Sequence, residues 1–234
     1  MKKKRASPGR PEGESFAREK ILGAAEATFA EHGYSGTSLR QIVDRANVTQ
    51  ALVTYYFGSK EALYKEIFLK RGREIANARL EGLRLLPANP TLEQVVATYL
   101  KPALEMRRTR EGRAFIRLQA RMHTEPPRFA ESLRRDVYDD AVRRYVGAIR
   151  KSAPHLSAGT AYWRMVLVIG AYLYAHSDAH RLEELSNGKC KTDNIDEMLG
   201  QITAFVVGGL MAPDPAGRAN RKGKPKKLSR RPGS

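Results

Sequence analysis

Apolar positions recur at helical spacing over most of the chain. Leu22, Ala25 and Phe29 share one face of a segment that opens at Ser15 and stops at His32-Gly33, since positions three, four or seven apart line up on a 3.6-residue helix. Leu39, Ile42, Val43 and Ala46 do the same over 38–46, which opens on Ser38-x-x-Gln41, the spacing of a capping box. Asn47 ends that helix, because Asn tolerates a left-handed turn. A third short helix is expected over 49–56, and a fourth from 60 into the low 80s.

Beyond Pro87 and Pro90 the periods lengthen. Thr91-x-x-Gln94 opens a helix to about 109, with Pro102 expected to kink or break it. Further helices are expected over 111–123, 126–152, 157–183 and 192–211. Phe129, Leu133, Val137, Ala141, Tyr145 and Ile149 recur every four residues in the second of these. Segment 157–183 is apolar nearly all round, which implies burial on most sides. No alternating strand pattern, hairpin signal or internal repeat competes. The expected fold class is all-α: three short N-terminal helices, a connector, then a bundle of about five longer helices.

Helices 38–46 and 49–56, joined at Asn47-Val48, have the helix-turn-helix arrangement. The second helix of such a pair enters the major groove. It must plug into its domain on one side and show polar groups on the other. Leu52, Val53 and Phe57 suit the first task; Thr49, Gln50, Thr54, Tyr55 and Tyr56 suit the second. A tyrosine ring packs on sugar and thymine methyl while its hydroxyl meets phosphate. Core packing is the competing reading for each tyrosine, but burying Tyr55, Tyr56 and Phe57 together would leave a two-turn helix almost no exposed face. Lys60, in the first turn of the next helix, adds a cation beside a helix N-terminus, a candidate phosphate clamp.

At these residues the chain resembles the tetracycline-repressor (TetR) family of bacterial regulators. The resemblance runs without gaps over about 15–68 and includes Phe29, Gly33-Tyr34, Thr37, Ile42, Ala46, Val48, Tyr55, Phe57, Lys60 and Leu63. Asn47 stands where the family often has Gly, and Ala51 where it often has Gly or Pro. The resemblance implies DNA contacts at Thr37, Arg40, Thr49, Gln50, Thr54, Tyr55, Tyr56 and Lys60. Gln50 is the best base reader, because its amide can pair bidentately with adenine. Residues 91–211 more distantly resemble a C-terminal domain of one branch, some of whose members respond to fatty acids or related acyl ligands. The family dimerises through its last two long helices, which correspond to 157–183 and 192–211; Gly208-Gly209 suits close helix packing there. A homodimer on an inverted-repeat operator follows, with a small-molecule effector, a fatty acid or acyl-CoA being the first choice. The candidate effector lining is Phe115, Leu118, Gln119, Met122, Tyr138, Trp163, Val166, Leu167 and Gly170, each of which core packing would also explain.

The net charge of +17 sharpens this picture. Residues 1–14 carry five Lys/Arg against Glu12 and Glu14, and residues 213–234 carry eight against Asp214. Both arms lack the apolar content that would offset ordering entropy, so disorder is expected, with attraction to a polyanion. Between them, 15–60 is expected to be the DNA-binding domain and 61–212 the ligand-binding and dimerisation domain. The single cysteine, Cys190, excludes an internal disulfide. No apolar run suits a membrane span and the basic N-terminus lacks the apolar stretch of a secretory signal, so a soluble cytoplasmic protein is expected. His176 and His180 lie one helical turn apart, but Asp178 points away from them, so no metal or other cofactor is expected. Arg107, Arg108, Arg110, Arg134 and Arg135 read as solvated positions. No phosphate loop or nucleophile elbow appears, which favours a repressor over an enzyme. The remaining rival is a nucleoid-like binder without sequence preference or ligand.

Overall fold

The computed structural model describes residues 12–122, 127–177 and 179–215. Helices run in the order α1 (Glu12–His32), α2 (Leu39–Ala46), α3 (Gln50–Phe57), α4 (Lys60–Ile67), α5 (Arg73–Arg84), α6 (Leu92–Met106), α7 (Arg110–Arg121), α8 (Pro127–Leu133), α9 (Asp139–Ser152), α10 (Ala158–Ser177), α11 (Ala179–Leu185) and α12 (Ile195–Met211). Among the described residues there is no strand. Most of the basic arms, and Asp178 of the histidine segment, lie outside the described residues.

The short helices form where local chemistry demands. Ser38 and Gln41 complete a capping box on α2, and Thr91 and Gln94 complete another on α6. Each box satisfies two N-terminal N–H groups that the helix itself leaves unpaired. At the end of α2, Asn47 takes φ 47° and ψ 57°. Its N–H donates to the Asp44 carbonyl, and the Val48 N–H to the Val43 carbonyl. This paired closure is the Schellman arrangement. Helix α1 begins at Glu12 rather than Ser15.

Two long rods contain π-helical turns. Residues Phe68–Gly72 join α4 to α5, and Arg134–Tyr138 join α8 to α9. The two turns pack against each other. Gly72 permits this contact, since a Cβ there would lie 2.7 Å from both the Tyr138 hydroxyl and Val137 Cγ1. The α4–α5 rod connects both halves of the molecule. Edge-on rings link Phe29 of α1 to Tyr64 of α4 (centroids 5.1 Å apart) and Phe68 to Phe115 of α7 (5.4 Å), with Tyr64 and Phe68 5.0 Å apart.

Two expectations change. Helix α6 runs from Leu92 to Met106 through Pro102 without a break. Proline removes one N–H there, while buried Leu100, Ala103 and Leu104 keep the flanking turns packed. Arg107 is buried rather than solvated; its guanidinium reaches the Thr192 carbonyl and the Met198 sulfur. Burial beside Arg113 and Arg117 pulls its pKa down.

Candidate nucleic-acid interface

Helix α3 is split lengthwise. Val53 and Phe57 are buried, Leu52 and Tyr56 pack partly against the core, and Thr49, Gln50, Ala51, Thr54 and Tyr55 are exposed. Positions 50, 51, 54 and 55 lie on one stripe because they differ by one, four and five residues. Tyr55 is 73% exposed and meets the Tyr56 ring edge-on at 5.1 Å. Thr49 caps α3 in an extended conformation, yet its hydroxyl makes no capping hydrogen bond. The Leu52 N–H donates to the Thr49 carbonyl at 3.1 Å, which leaves the N–H groups of Gln50 and Ala51 at the helix end facing outward toward an anion.

Arg40 on α2 has an 89% exposed side chain, with Nε 4.0 Å from Asp44. Arg45, one turn on, is committed instead to Glu31 of α1 by bonds of 2.7 and 2.8 Å. Those bonds hold the Glu31 carboxyl below its ordinary pKa.

Thr37 and Lys60 stand differently from the sequence expectation. Thr37 is buried, and its hydroxyl donates to the carbonyls of Gly33 at 2.7 Å and Thr28 at 3.3 Å. It fixes the α1–α2 turn. The Lys60 ammonium donates to the carbonyls of Tyr34 at 2.9 Å and Thr37 at 2.8 Å, and lies 4.3 Å from the centre of the Tyr34 ring. It ties α4 to the same turn rather than projecting as a separate phosphate clamp. The sequence could not show this, because the tie joins residues 26 and 23 positions apart.

The nine candidate effector residues divide into two groups. Phe115, Leu118, Gln119, Met122 and Tyr138 are buried together in the bundle. Trp163, Val166, Leu167 and Gly170 are exposed on the outer face of α10 and are removed from the lining. With Tyr162 and Tyr174 they form a long apolar stripe. Phe205, Gly208, Gly209 and Met211 extend that exposed surface on α12, which packs beside α10. A Cβ at either glycine would meet nothing within 4 Å. The all-round apolar pattern of 157–183 thus does not mean burial within one chain.

The bundle interior holds a cation that sequence reasoning missed. Arg79 on α5 is 1% exposed. Its Nε donates to the Tyr99 carbonyl at 2.8 Å, and its guanidinium carbon lies 3.8 Å from the Tyr99 ring centre and 5.4 Å from that of Tyr172. Among the described residues no carboxylate forms an ion pair with it. Isolated burial of a charge costs several kcal/mol, and arginine cannot escape by losing its proton. Burial pushes the hydroxyl pKa values of Tyr99 and Tyr138 well above the ordinary range. Arginine within an otherwise helical, half-polar segment gave no sign in the sequence that it would be enclosed.

A polar cleft of about 400 Å³ lies between α1, α2 and α7, lined by Glu19, Glu26, Glu31, Arg45, Arg110 and Arg117 among others. Glu26 is buried at its wall, 3.3 Å from Arg71. Burial raises its pKa, with Arg71 opposing.

Comparison with known proteins finds two matched regions. Residues 21–67 match the family described as bacterial regulatory proteins, tetR family. Residues 97–209 match the tetracyclin repressor-like C-terminal domain. The chain is 34% identical over 94 residues to the HTH-type transcriptional regulator RutR of Escherichia coli strain K12, covering 40% of this chain and 42% of the relative. It is 39% identical over 82 residues to the probable acrEF/envCD operon repressor of the same strain, covering 34% and 37%. These matches thus span about two fifths of each relative's length. Among solved structures, the fatty acid degradation regulator FadR from Bacillus halodurans has a TM-score of 0.62 at 13% identity, covering 87% of this chain and 98% of that one; at this identity the likeness is one of fold. With a helix-turn-helix in the first matched segment and a helical bundle in the second, the chain belongs to the tetR family of bacterial regulatory proteins.

Proposed function

We propose that this protein is a homodimeric, sequence-specific transcriptional repressor whose hold on DNA is weakened by a small effector. The exposed stripe of α3 carries the reading: Gln50, Thr54 and Tyr55 point outward from a helix whose opposite side is anchored by Val53 and Phe57. Thr49, Tyr56 and Arg40 are assigned to phosphate and sugar contacts, and Gln50 to a base. Lys60 and Thr37 act at one remove, by holding the turn before α2. Residues 15–60 are assigned to reading, and 61–212 to sensing and dimerisation.

The apolar stripe of α10 and α12 is assigned to the symmetric partner. One reading helix covers one half-site, and a twofold dimer places a second on the next. Effector binding among Phe115, Leu118 and Tyr138 would shift the α4–α5 rod and so the spacing of the two reading helices. A hundredfold loss of DNA affinity requires about 2.7 kcal/mol of preference for the altered spacing. An acyl or aromatic acid is the effector class we favour.

Selection from random duplexes tests the reading. It should return an inverted repeat whose half-site centres lie about one helical turn, or a multiple, apart. Recovery of duplexes without a shared motif, with a steep salt dependence, would establish the nucleoid-like alternative instead.

A further inference from the structure

Three polar atoms buried in the bundle are without a hydrogen-bond partner of good geometry: Arg79 Nη2, the Tyr138 hydroxyl and the Gln119 amide oxygen. All three residues are more than nine-tenths buried. They come from different elements: α5, the π-helical turn before α9, and α7. Gln119, through side-chain hydrogen bonding, and Arg79, through its charge, both act on the Tyr138 hydroxyl. Natural interiors rarely leave such atoms unsatisfied, and a cluster of them calls for a partner.

The chemistry of the cluster specifies that partner. Arg79 brings a positive charge that no described carboxylate balances, and Nη2 is a free donor. Tyr138 adds an O–H, and Gln119 presents an acceptor. We propose that this cluster is the head-group site for a small organic acid, whose carboxylate is taken by Arg79 and Tyr138 while a neighbouring hydroxyl or N–H donates to Gln119. Its apolar body would lie among Phe115 and Leu118 of α7 and Met122 just past its end, all three buried. The inference rests on the sensor reading of the bundle and adds to it the groups that take the acid's charge. It also supplies a path outward. The Tyr138 hydroxyl is the group that packs on Gly72, in the π-helical turn of the α4–α5 rod. π-helical turns are frequent at functional sites, and an acid that draws on Tyr138 bears directly on the rod carrying the DNA-binding domain.

The test uses the full chain without DNA and two compound series: decanol, decanoate and 3-hydroxydecanoate; benzyl alcohol, benzoate and salicylate. Binding is read by calorimetry and by thermal shift. In at least one series the acid should bind about 10- to 100-fold more tightly than its alcohol, as for hydrogen bonds to a charged group, and the hydroxy acid should bind more tightly still. Arg79→Met should remove the preference for acid over alcohol. Tyr138→Phe, which deletes only the hydroxyl and keeps the ring, should fold normally and bind the acid about tenfold more weakly. Equal binding of acid and alcohol, an unchanged preference in Arg79→Met, or no binding in either series overturns the acid site. The sensor reading is judged separately, by release of the selected operator: an alcohol that releases it preserves the sensor while the acid site falls.

Discussion

Trp163→Ala should break the dimer. Trp163 is 74% exposed in the single chain, which leaves about 150 Å² of a ring that carries roughly 200 Å². Burying that area against a partner is worth up to about 4 kcal/mol at ~25 cal/mol per Å². Association never returns the full area value, and truncating a central aromatic residue commonly costs about 2 kcal/mol or more. Twofold symmetry supplies two copies, so the substitution should cost about 4 kcal/mol per dimer, or roughly a thousandfold in Kd. Trp163 is the single tryptophan of the chain, so its own fluorescence reports the interface. Emission of the unaltered protein should shift to the red on dilution, in step with a fall in sedimenting mass from about twice 26.2 kDa to the single-chain value. Trp163→Ala should sediment as one chain at concentrations where the unaltered protein is paired. A red emission that ignores concentration, together with an alanine variant that stays paired, would refute the placing of this stripe at the interface.

Gln50→Ala should relax preference at one base position per half-site at a cost of about 1–3 kcal/mol, whereas Lys60→Ala should weaken all duplexes alike and also lower the melting temperature, since the Tyr34 and Thr37 carbonyls lose their donor; competition binding and calorimetry check both. Glu26 has a folded-state pKa raised by burial, so its contribution is most favourable below the unfolded value near 4.5 and is lost as pH rises through the folded value. Glu26→Gln should therefore flatten the acid-to-neutral stability profile and raise the melting temperature on its neutral side. Gly72→Ala should cost about 1–3 kcal/mol by overpacking, as its Cβ meets the Tyr138 hydroxyl and Val137, and denaturant titration measures the loss. Asp214→Ala should cost about 1 kcal/mol, because Asp214 accepts from the Ser157 N–H and the Thr160 hydroxyl, both at 2.7 Å, where α10 begins. A tail deletion intended to probe DNA attraction alone should therefore start after residue 215.

The helix-turn-helix was legible in the sequence because its determinants are local. The Ser38–Gln41 box, the left-handed turn at Asn47 and the polar stripe of α3 each depend on residues within a turn or two of one another. The all-α class followed for the same reason: helical periodicity is a property of neighbours. The tertiary structure decided everything that depends on which distant groups share one space. Lys60 reads as a phosphate clamp until Tyr34 and Thr37 are brought to its ammonium. Trp163, Val166 and Leu167 read as lining until α10 is seen to turn them outward, since an apolar stripe does not say whether its own chain or a partner covers it. Arg79 was the least visible. Burying a charge runs against every local preference, so only the packing of α5, α6 and α10 around it could show that the bundle encloses a cation.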